Sequence, residues 1–519
     1  MSFSIFSIPA LPARLFNCLK IAFATWQLKK LPTAEREQAH HALAALLGNA
    51  RGMTMKIGQL IASGSEQTAY QPLITSIKPL PLSALLPILK REFSQPLADI
   101  FPEIKESAAA ASLGQVHYAR LADGREVAIK IRYPGIVETV KAELQLTDWL
   151  PSAGPFKRWQ FNSDDYKQTL RQQLLRETDY RIEAQTQQRF QERLSIKGLC
   201  IPKIYPEFCK ASVLVQSWET GCRLHEVSDW SKKQRLEIAK TLLVTLFQSL
   251  FVHGEIHGDP HSGNYLFRLD AEENAITVLL DYGCTVLISK PRRLALLKLI
   301  DAYCNQQPIN GLQCFVAMGF DAQKLKHLEN EFPALCAALF LPFTQTKAFD
   351  LETWRLANTL QELLAEKRWW FRAAGSADLL LLLRAFQGLT QHLTTLQVSL
   401  PWGALLRYAV GESVLQEARD FVLPELSVQM FNNQPLLIKA NKLCVRVYEN
   451  DVVTISLDLP AEAALELESL IPAAVLAEIK ASVEVDLVKI TSSLQQQGIF
   501  PQVLFETVTE RKLCRVWLE

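Results

Sequence analysis

The sequence predicts an α+β protein in which strand-rich and helical regions follow one another along the chain. Three observations support this prediction. Residues 106–221 contain short apolar runs separated by turn residues, residues 222–428 carry helical apolar spacing, and residues 429–519 return to alternating patterns. With 519 residues, 49% of them apolar, the chain is long enough for several domains and a sizeable core.

The first region, residues 1–105, is predicted to be mainly helical. Leu15, Leu19, Phe23 and Trp26 recur at helical spacing, and basic side chains lie nearby. A basic amphipathic helix of this kind can lie on a membrane surface. The alternative is a helix that packs on its own protein. This alternative is favoured, because amphipathic helices more often serve that purpose.

The next regions alternate between the two kinds of element. In residues 106–221 an Asp123-Gly124 turn precedes an apolar strand over 127–131, and a long helix is predicted over 164–194. Helical spacing dominates residues 222–428, for example over 236–253, 292–304 and 377–396. In residues 429–519 a hairpin is predicted around Asn450-Asp451, followed by helices and a last strand over 513–518.

Composition excludes several classes of protein. The net charge is +1, from 55 basic and 54 acidic side chains, so no general field for nucleic acid is expected and no nucleic-acid partner is predicted. The ten cysteines show no zinc-finger spacing. Without a signal peptide pattern or a long apolar run, the chain is predicted to be cytoplasmic, with peripheral contact at the inner face of the membrane as a further hypothesis.

The most informative pattern lies between His257 and Gly283. Asp259 is followed five residues later by Asn264, and Asp281 comes after two short apolar runs joined by a polar turn. This spacing is typical of a kinase catalytic lobe, in which the first Asp orients the acceptor while the Asn and the second Asp hold Mg²⁺ against the phosphates. The two predicted strands would bring both metal ligands to one cleft.

A second part of the pattern lies upstream. Lys130 ends an apolar strand, as does the lysine that contacts the α- and β-phosphates in kinases. The expected glycine-rich loop is missing, because an alanine-rich stretch from Ser107 to Ser112 stands in its place. Alanine disfavours the positive φ angles that glycine supplies, so backbone amides are not expected to hold phosphate in the usual way.

Four motifs together resemble the UbiB/AarF family of atypical kinase-like proteins, relatives of the mitochondrial coenzyme Q kinases. They are the alanine-rich stretch with Gly114–His117, Lys56–Gln59, Glu177–Tyr180 with Glu183–Ala184, and His257–His261. The resemblance covers residues 45 to 400. It implies a two-lobed protein-kinase-like fold, N-terminal helices that occlude protein substrates, an alanine-rich loop that favours ADP, and ATPase activity linked to quinone or isoprenoid-lipid metabolism.

Carried onto this sequence, the resemblance implies a role for each matching residue. Asp259 and Lys130 would be catalytic, and Asn264 and Asp281 would bind Mg²⁺ with ATP or ADP. Lys130 would also contact the nucleotide and pair with an acid, Glu183 by preference, with Glu177 left open as the alternative. The other nucleotide-binding residues would be Ala109, Ala110, Ala111, Ser112 and Gln216, and the regulatory set would be Lys56, Gln59, Glu177 and Asp179, with Glu177 meeting Lys56.

The sequence departs from the family pattern at two positions near the nucleotide, neither of which removes a predicted phosphate or metal ligand. Ser217 stands where the hinge usually has an acid, and Tyr282 replaces the Phe that follows the metal-binding Asp. The first hypothesis is a Mg²⁺-dependent ATPase or small-molecule or lipid kinase, acting on or supporting lipid or quinone precursors; protein kinase activity is not expected. The alternatives are a non-catalytic nucleotide switch for a membrane-associated partner and a lipid-carrying adaptor. The sequence specifies neither a phosphoryl acceptor nor an oligomeric state.

Overall fold

The computed structural model describes residues 79–111, 113–148, 163–345, 347–354, 356–425, 440, 442–449, 452–470, 486–497, 499, 502–508 and 512–518. The predicted N-terminal amphipathic helix lies outside these residues, as do Lys56, Gln59 and Ser112. The first described part is a lobe built on a four-stranded antiparallel sheet, in the order β1-β2-β3-β5. Its elements are α1 (Leu86–Glu92), α2 (Leu97–Ile100), β1 (Glu103–Ala110), β2 (Gly114–Arg120), β3 (Glu126–Arg132), α3 (Ile136–Asp148), α4 (Ser163–Glu177), α5 (Tyr180–Arg193), β4 (Leu199–Cys200) and β5 (Val213–Ser217).

The strand that carries Lys130 forms where the sequence predicts it. Asp123 accepts a hydrogen bond from the backbone N–H of Arg125 at 3.1 Å, and Gly124 has a φ of +87°, so the predicted Asp-Gly turn connects β2 to β3. Apolar side chains of β3, such as Ile129 and Ile131, are fully buried against α1. The sheet begins at Glu103, three residues before the predicted region boundary.

The single helix predicted over 164–194 is wrong, because the chain forms two helices there. α4 ends at Glu177 and α5 begins at Tyr180, with Asp179 as the N-cap of α5. The Asp179 carboxylate accepts a hydrogen bond from the backbone N–H of Arg181 at 3.0 Å. Asp179 therefore lies outside the helix that carries Glu183.

The second lobe is mainly helical. Its elements are α6 (Lys232–Phe247), β6 (Glu255–His257), β7 (Tyr265–Leu269), β8 (Ala275–Leu279), β9 (Thr285–Leu287), α7 (Lys290–Cys304), α8 (Gly311–Ala317), α9 (Ala322–Leu325), α10 (Phe332–Thr344), α11 (Leu356–Leu364), α12 (Arg368–Ala374), α13 (Ala377–Thr395), α14 (Trp402–Val410) and α15 (Glu412–Asp420). One large core joins these helices around Phe247, Trp370 and Trp402. It is separate from the core of the first lobe.

One helical stretch within the described residues, Lys232–His253, has the length and apolar composition to cross a membrane. It comprises α6 and the π-helical turns Gln248–His253 that continue it. In its most apolar window, 56% of the residues are buried inside the second lobe. The core helix of a folded lobe meets the same criteria.

The described C-terminal residues form a small α+β unit. Its elements are β10 (Lys442–Glu449), β11 (Val452–Pro460), α16 (Leu467–Leu470), α17 (Leu487–Gln497), β12 (Gln502–Val508) and β13 (Lys512–Leu518). The strands make one antiparallel sheet in the order β11-β10-β13-β12. The predicted hairpin and last strand are therefore confirmed.

Candidate functional site

The centre of the site is a lysine, its side chain 12% exposed, between two carboxylates from different parts of the chain. The ammonium of Lys130 on β3 lies 2.7 Å from Glu183 Oε1 on α5 and 3.0 Å from Asp281 Oδ2 after β8. Burial opposes the lysine charge, but Asp281 and Glu183 outweigh it and hold the pKa of Lys130 well above its usual range. Burial raises the pKa of Glu183 to about 7 against the effect of Lys130.

Helix α5 is held against the second lobe by charge and by packing. The carboxylate of Glu255, 2% exposed, accepts hydrogen bonds from Arg189 at 2.8 Å and Arg193 at 3.3 Å. Tyr282, in the position of the usual Phe, is buried with its ring centroid 5.1 Å from that of Phe190 on the same helix. These contacts fix where α5 lies against the second lobe, and therefore where Glu183 lies beside Lys130.

The loop after β6 positions Asp259 and Asn264. The amide nitrogen of Asn264 donates hydrogen bonds to the backbone carbonyl and to Oδ2 of Asp259, both at 3.2 Å. His261 caps the turn by accepting a hydrogen bond from the N–H of Gly263 at 3.0 Å. The amide nitrogen of Asn264 is thus engaged by Asp259. The amide oxygen, Oδ1, is the atom of this side chain that can bind a cation.

Asp281 is brought beside Asn264 by the predicted pair of strands, which is confirmed. The backbone carbonyl of Asn264 accepts from the N–H of Leu280 at 2.9 Å, directly before Asp281. His257 donates from Nε2 to the carbonyl of Asp281, and Asp281 Oδ1 accepts from the N–H of Gly283 at 2.9 Å. The loop after β6 and the turn after β8 are thus joined by hydrogen bonds.

The donor set fits magnesium when nucleotide phosphates complete it. A carboxylate and an amide oxygen are hard oxygen ligands of the kind that Mg²⁺ prefers, and Mg²⁺ usually takes one or two protein ligands beside phosphates and waters. Across the described ranges of the chain, no group of three or more His, Cys, Asp or Glu side chains could hold a metal alone. Asn264 and Asp281 would therefore hold the ion together with a bound nucleotide.

The alanine-rich stretch is largely a strand. Ala109 pairs with Val116 and Ala110 pairs with Gln115 in the β1–β2 ladder, and the N–H of Ala111 donates to the carbonyl of Gly114 at 2.8 Å. The expectation of a loop over these residues is corrected to a tight hairpin. The N–H of Ala111 is engaged within the hairpin, so this amide cannot at the same time bind phosphate.

Two residues at the end of β5, Gln216 and Ser217, were expected near the adenine of a bound nucleotide, and both form side-chain hydrogen bonds within the protein. Gln216 is 9% exposed, and its Oε1 accepts a hydrogen bond from Gln187 on α5 at 2.7 Å, so part of its side chain faces the helix. The hydroxyl of Ser217 donates to Glu219 at 2.7 Å. Glu219 also pairs with Arg268 at 2.7 Å, and it is an acid two residues after the position where the family pattern has one.

Of the predicted regulatory residues, the structure describes only Glu177 and Asp179. Glu177 is 6% exposed, and its side chain approaches Gly283, next to Asp281 and Tyr282. Asp179 caps α5, and the hydrogen bond from Arg181 lowers the pKa of its carboxyl group. The regulatory role of Glu177 and Asp179 stays a prediction.

Arg384 is a contact of Asp259 that sequence reasoning missed. Its guanidinium lies 3.2 Å from Asp259 Oδ1, although it comes from α13, 125 residues further along the chain. Nothing in the local sequence distinguishes Arg384 from other helical arginines. Helical periodicity places it on a helix but names no partner.

Burial of His392, also on α13, is expected to make the stability of the protein depend on pH. His392 is 6% exposed, donates from Nε2 to the carbonyl of Pro260 at 2.7 Å, and burial lowers its pKa from 6.5 to about 4. The unfolded chain binds this proton more readily, so stability falls as pH decreases from 6.5 to 4, by up to about 3 kcal/mol. Thermal unfolding from pH 7 to 5 should show this fall, and His392→Gln, which keeps an N–H donor, should reduce it. An equal pH dependence in the variant would contradict the assignment.

Comparison with known proteins identifies the region that carries this site. Residues 72–310 match the ABC1 atypical kinase-like domain. An ABC1 family protein of Schizosaccharomyces pombe is 26% identical over 59% of this chain and 60% of the relative. The mitochondrial atypical kinase COQ8B of Rattus norvegicus is 31% identical over 45% of this chain and 46% of the relative. The matches span about half to 60% of these relatives.

Solved structures give weaker likenesses. A Mycobacterium tuberculosis protein solved with erythromycin covers 73% of this chain and 97% of its own, with a TM-score of 0.48 and 21% identity. The Rio2 kinase of Chaetomium thermophilum, in a complex with ADP, Mg²⁺ and phosphoaspartate, has a TM-score of 0.25 and 15% identity over 66% of this chain and 98% of its own. These scores are too low for any residue or ligand to be carried across. The matching domain and the two lobes confirm the predicted protein-kinase-like fold.

Proposed function

Because residues 72–310 form an ABC1 atypical kinase-like domain of the UbiB/AarF family, we propose that this protein binds ATP or ADP with Mg²⁺ and catalyses phosphoryl transfer from ATP to water or to a small molecule. The observation that carries the proposal is Lys130, which lies within hydrogen-bond distance of both Glu183 and Asp281. A lysine in this position can contact phosphates while α5 holds it through Glu183.

Each residue of the site has a role in this proposal. Bound Mg²⁺ neutralises charge on the phosphates, and Asn264 and Asp281 are the residues that would hold it. Lys130 would orient the phosphates and offset their charge. Asp259 would accept a hydrogen bond from the acceptor and orient it for attack. The contribution of the chain is therefore positioning and charge neutralisation.

The nucleotide pocket would lie between the hairpin of Ala109–Ala111 and the end of β5. Ser112 falls outside the described residues, and its predicted contact with the nucleotide stays a prediction. Gln216 would contribute its backbone to the nucleotide, because the oxygen of its side chain is engaged by Gln187. The acid of the hinge would be Glu219 in place of Ser217.

A nucleotide-dependent switch is the second candidate, and the alanine hairpin favours it. Because the N–H of Ala111 bonds within the hairpin, the terminal phosphate would have fewer backbone donors than a glycine-rich loop offers. Such a site could bind nucleotide and change conformation without rapid turnover. The set Asp259, Asn264 and Asp281 favours the enzyme, since a switch needs no acceptor-orienting acid.

The acceptor and the location complete the proposal. We infer a lipid-soluble acceptor, such as a quinone or isoprenoid precursor, met at a membrane surface, on the basis of the family resemblance and the basic N-terminal helix predicted from sequence. Liposome flotation of the full chain and of a chain lacking residues 1–30 tests the helix. Unchanged flotation after truncation would remove this support and the adaptor hypothesis with it.

The decisive experiment measures Mg²⁺-dependent binding and hydrolysis of ATP and ADP, with and without anionic liposomes. Hydrolysis that needs Mg²⁺ and rises with lipid supports a membrane-stimulated enzyme. Tight binding without turnover supports the switch. If neither ATP nor ADP binds, both proposals are overturned.

A further inference from the structure

Helix α13 (Ala377–Thr395) meets the loop that carries Asp259 at three points. Arg384, Gly388 and His392 are spaced four residues apart, so they form one stripe along the helix. Arg384 contacts Asp259, and both Gly388 and His392 contact Pro260. The helix lies beyond residues 72–310, the part of the chain that matches the family domain.

The contact between Arg384 and Asp259 is nearly buried. The two side chains are each 12% exposed, and Arg384 Nη2 lies 3.2 Å from Asp259 Oδ1. The second carboxylate oxygen, Oδ2, accepts from Asn264. Donors on both oxygens fix the rotation of the carboxylate about its Cβ–Cγ bond. The charge of Arg384 acts at short range, where little water screens it.

The other two contacts seat the backbone of the loop. A Cβ atom added to Gly388 would lie 2.1 Å from Pro260 Cβ and 2.4 Å from Pro260 Cγ, so any side chain there would push the loop away. Four residues further along, Nε2 of His392 donates to the Pro260 carbonyl at 2.7 Å. Close approach and a directional hydrogen bond thus act on the residue that follows Asp259.

We propose that Arg384 is a positioning residue that orients the Asp259 carboxylate. Gly388 and His392 hold the loop close enough to α13 for this contact to form. The catalytic consequence rests on the proposed function, because an oriented Asp259 matters for turnover only if the protein transfers phosphoryl groups. The structural consequence does not depend on the proposed function. The loop over 257–264 should lose its order when the stripe is broken, whether or not ATP is hydrolysed.

The test compares Arg384→Gln, Arg384→Lys and Gly388→Ala in the full chain with two controls. Arg292→Gln breaks the ion pair between Arg292 on α7 and Asp378, which is near the start of α13 and away from the loop. Gly375→Ala adds a methyl group that meets Phe320 at 3.4 Å, an ordinary contact. Amide hydrogen exchange of peptides covering 257–264, Mg²⁺-ADP affinity and ATP hydrolysis are measured for each variant.

We expect Arg384→Gln and Gly388→Ala to speed exchange of the 257–264 peptides about tenfold, with exchange in the controls unchanged. In a protein that hydrolyses ATP, kcat should fall about tenfold to a hundredfold while nucleotide affinity stays within about twofold. Arg384→Lys should recover part of both effects, since it restores the charge without the planar fork.

Two results would overturn the inference. One is exchange over 257–264 that is the same in Arg384→Gln as in Arg292→Gln. The other is a loss of nucleotide affinity equal to the loss of kcat, which would mean a general distortion of the site. If the unmodified protein does not hydrolyse ATP, the proposed enzyme activity fails, while the exchange data still decide the positioning role.

Discussion

Asp281→Asn is expected to lower Mg²⁺-dependent ATP hydrolysis by on the order of 10²- to 10³-fold. The substitution removes a negative charge from a metal ligand and from a partner of Lys130, 3.0 Å away, while keeping the size of the side chain. Mg²⁺ would bind more weakly beside the phosphates. Lys130 would keep its contact with Glu183 at 2.7 Å, so the fold of the first lobe should persist. Steady-state hydrolysis and isothermal titration with Mg²⁺-ATP provide the measurement.

The matched control for this variant is Asp270→Asn. Asp270 lies in the turn between β7 and β8, in the same pair of strands, and accepts hydrogen bonds from the backbone of Glu272 and Asn274. It contributes nothing to the proposed site, so hydrolysis should match that of the unmodified protein. Undiminished hydrolysis in Asp281→Asn would place the activity at another site or in a contaminating enzyme.

Gly114→Ala is expected to have the largest effect on the first lobe. A Cβ atom at this position would lie 2.3 Å from the backbone carbonyl oxygen of Ile131 and 2.6 Å from the hydroxyl of Tyr180. Both are distances that folded proteins avoid, and the carbonyl belongs to the strand that carries Lys130. The β2–β3 pair would have to separate locally, at a cost of about 3 kcal/mol. A lower melting temperature and weaker ADP binding should follow together.

The opposite substitution in the same hairpin serves as its control. Ala109 on β1 is exposed, so Ala109→Gly removes a methyl group that packs against little and should cost about 1 kcal/mol or less through strand flexibility. Equal melting temperatures for Gly114→Ala and the unmodified protein would show that the hairpin can relax around the added methyl group. The predicted coupling between the hairpin and Lys130 would then be wrong.

Local sequence determined the parts of this protein in which neighbouring residues decide the structure. The Asp-Gly turn before β3 and the hairpin between Asn264 and Asp281 form as predicted, because alternation and turn chemistry act within a few residues. Two local predictions failed: the alanine-rich stretch is a hairpin and not a loop, and the single helix over 164–194 is two helices because Asp179 is not helical. Its carboxylate instead caps a second helix, a signal that the sequence did contain.

Tertiary structure decided which distant side chains meet at the site. Whether Lys130 faces Glu183 or Glu177 depends on where α5 docks, which the ion pairs of Glu255 and the packing of Tyr282 control. The contact of Arg384 with Asp259 joins residues 125 positions apart. Such contacts depend on the relative placement of whole elements, and that placement follows from burial summed over many residues. Motif spacing therefore named candidate residues of the site, and only the packing of the lobes selected the partners of Lys130 and Asp259.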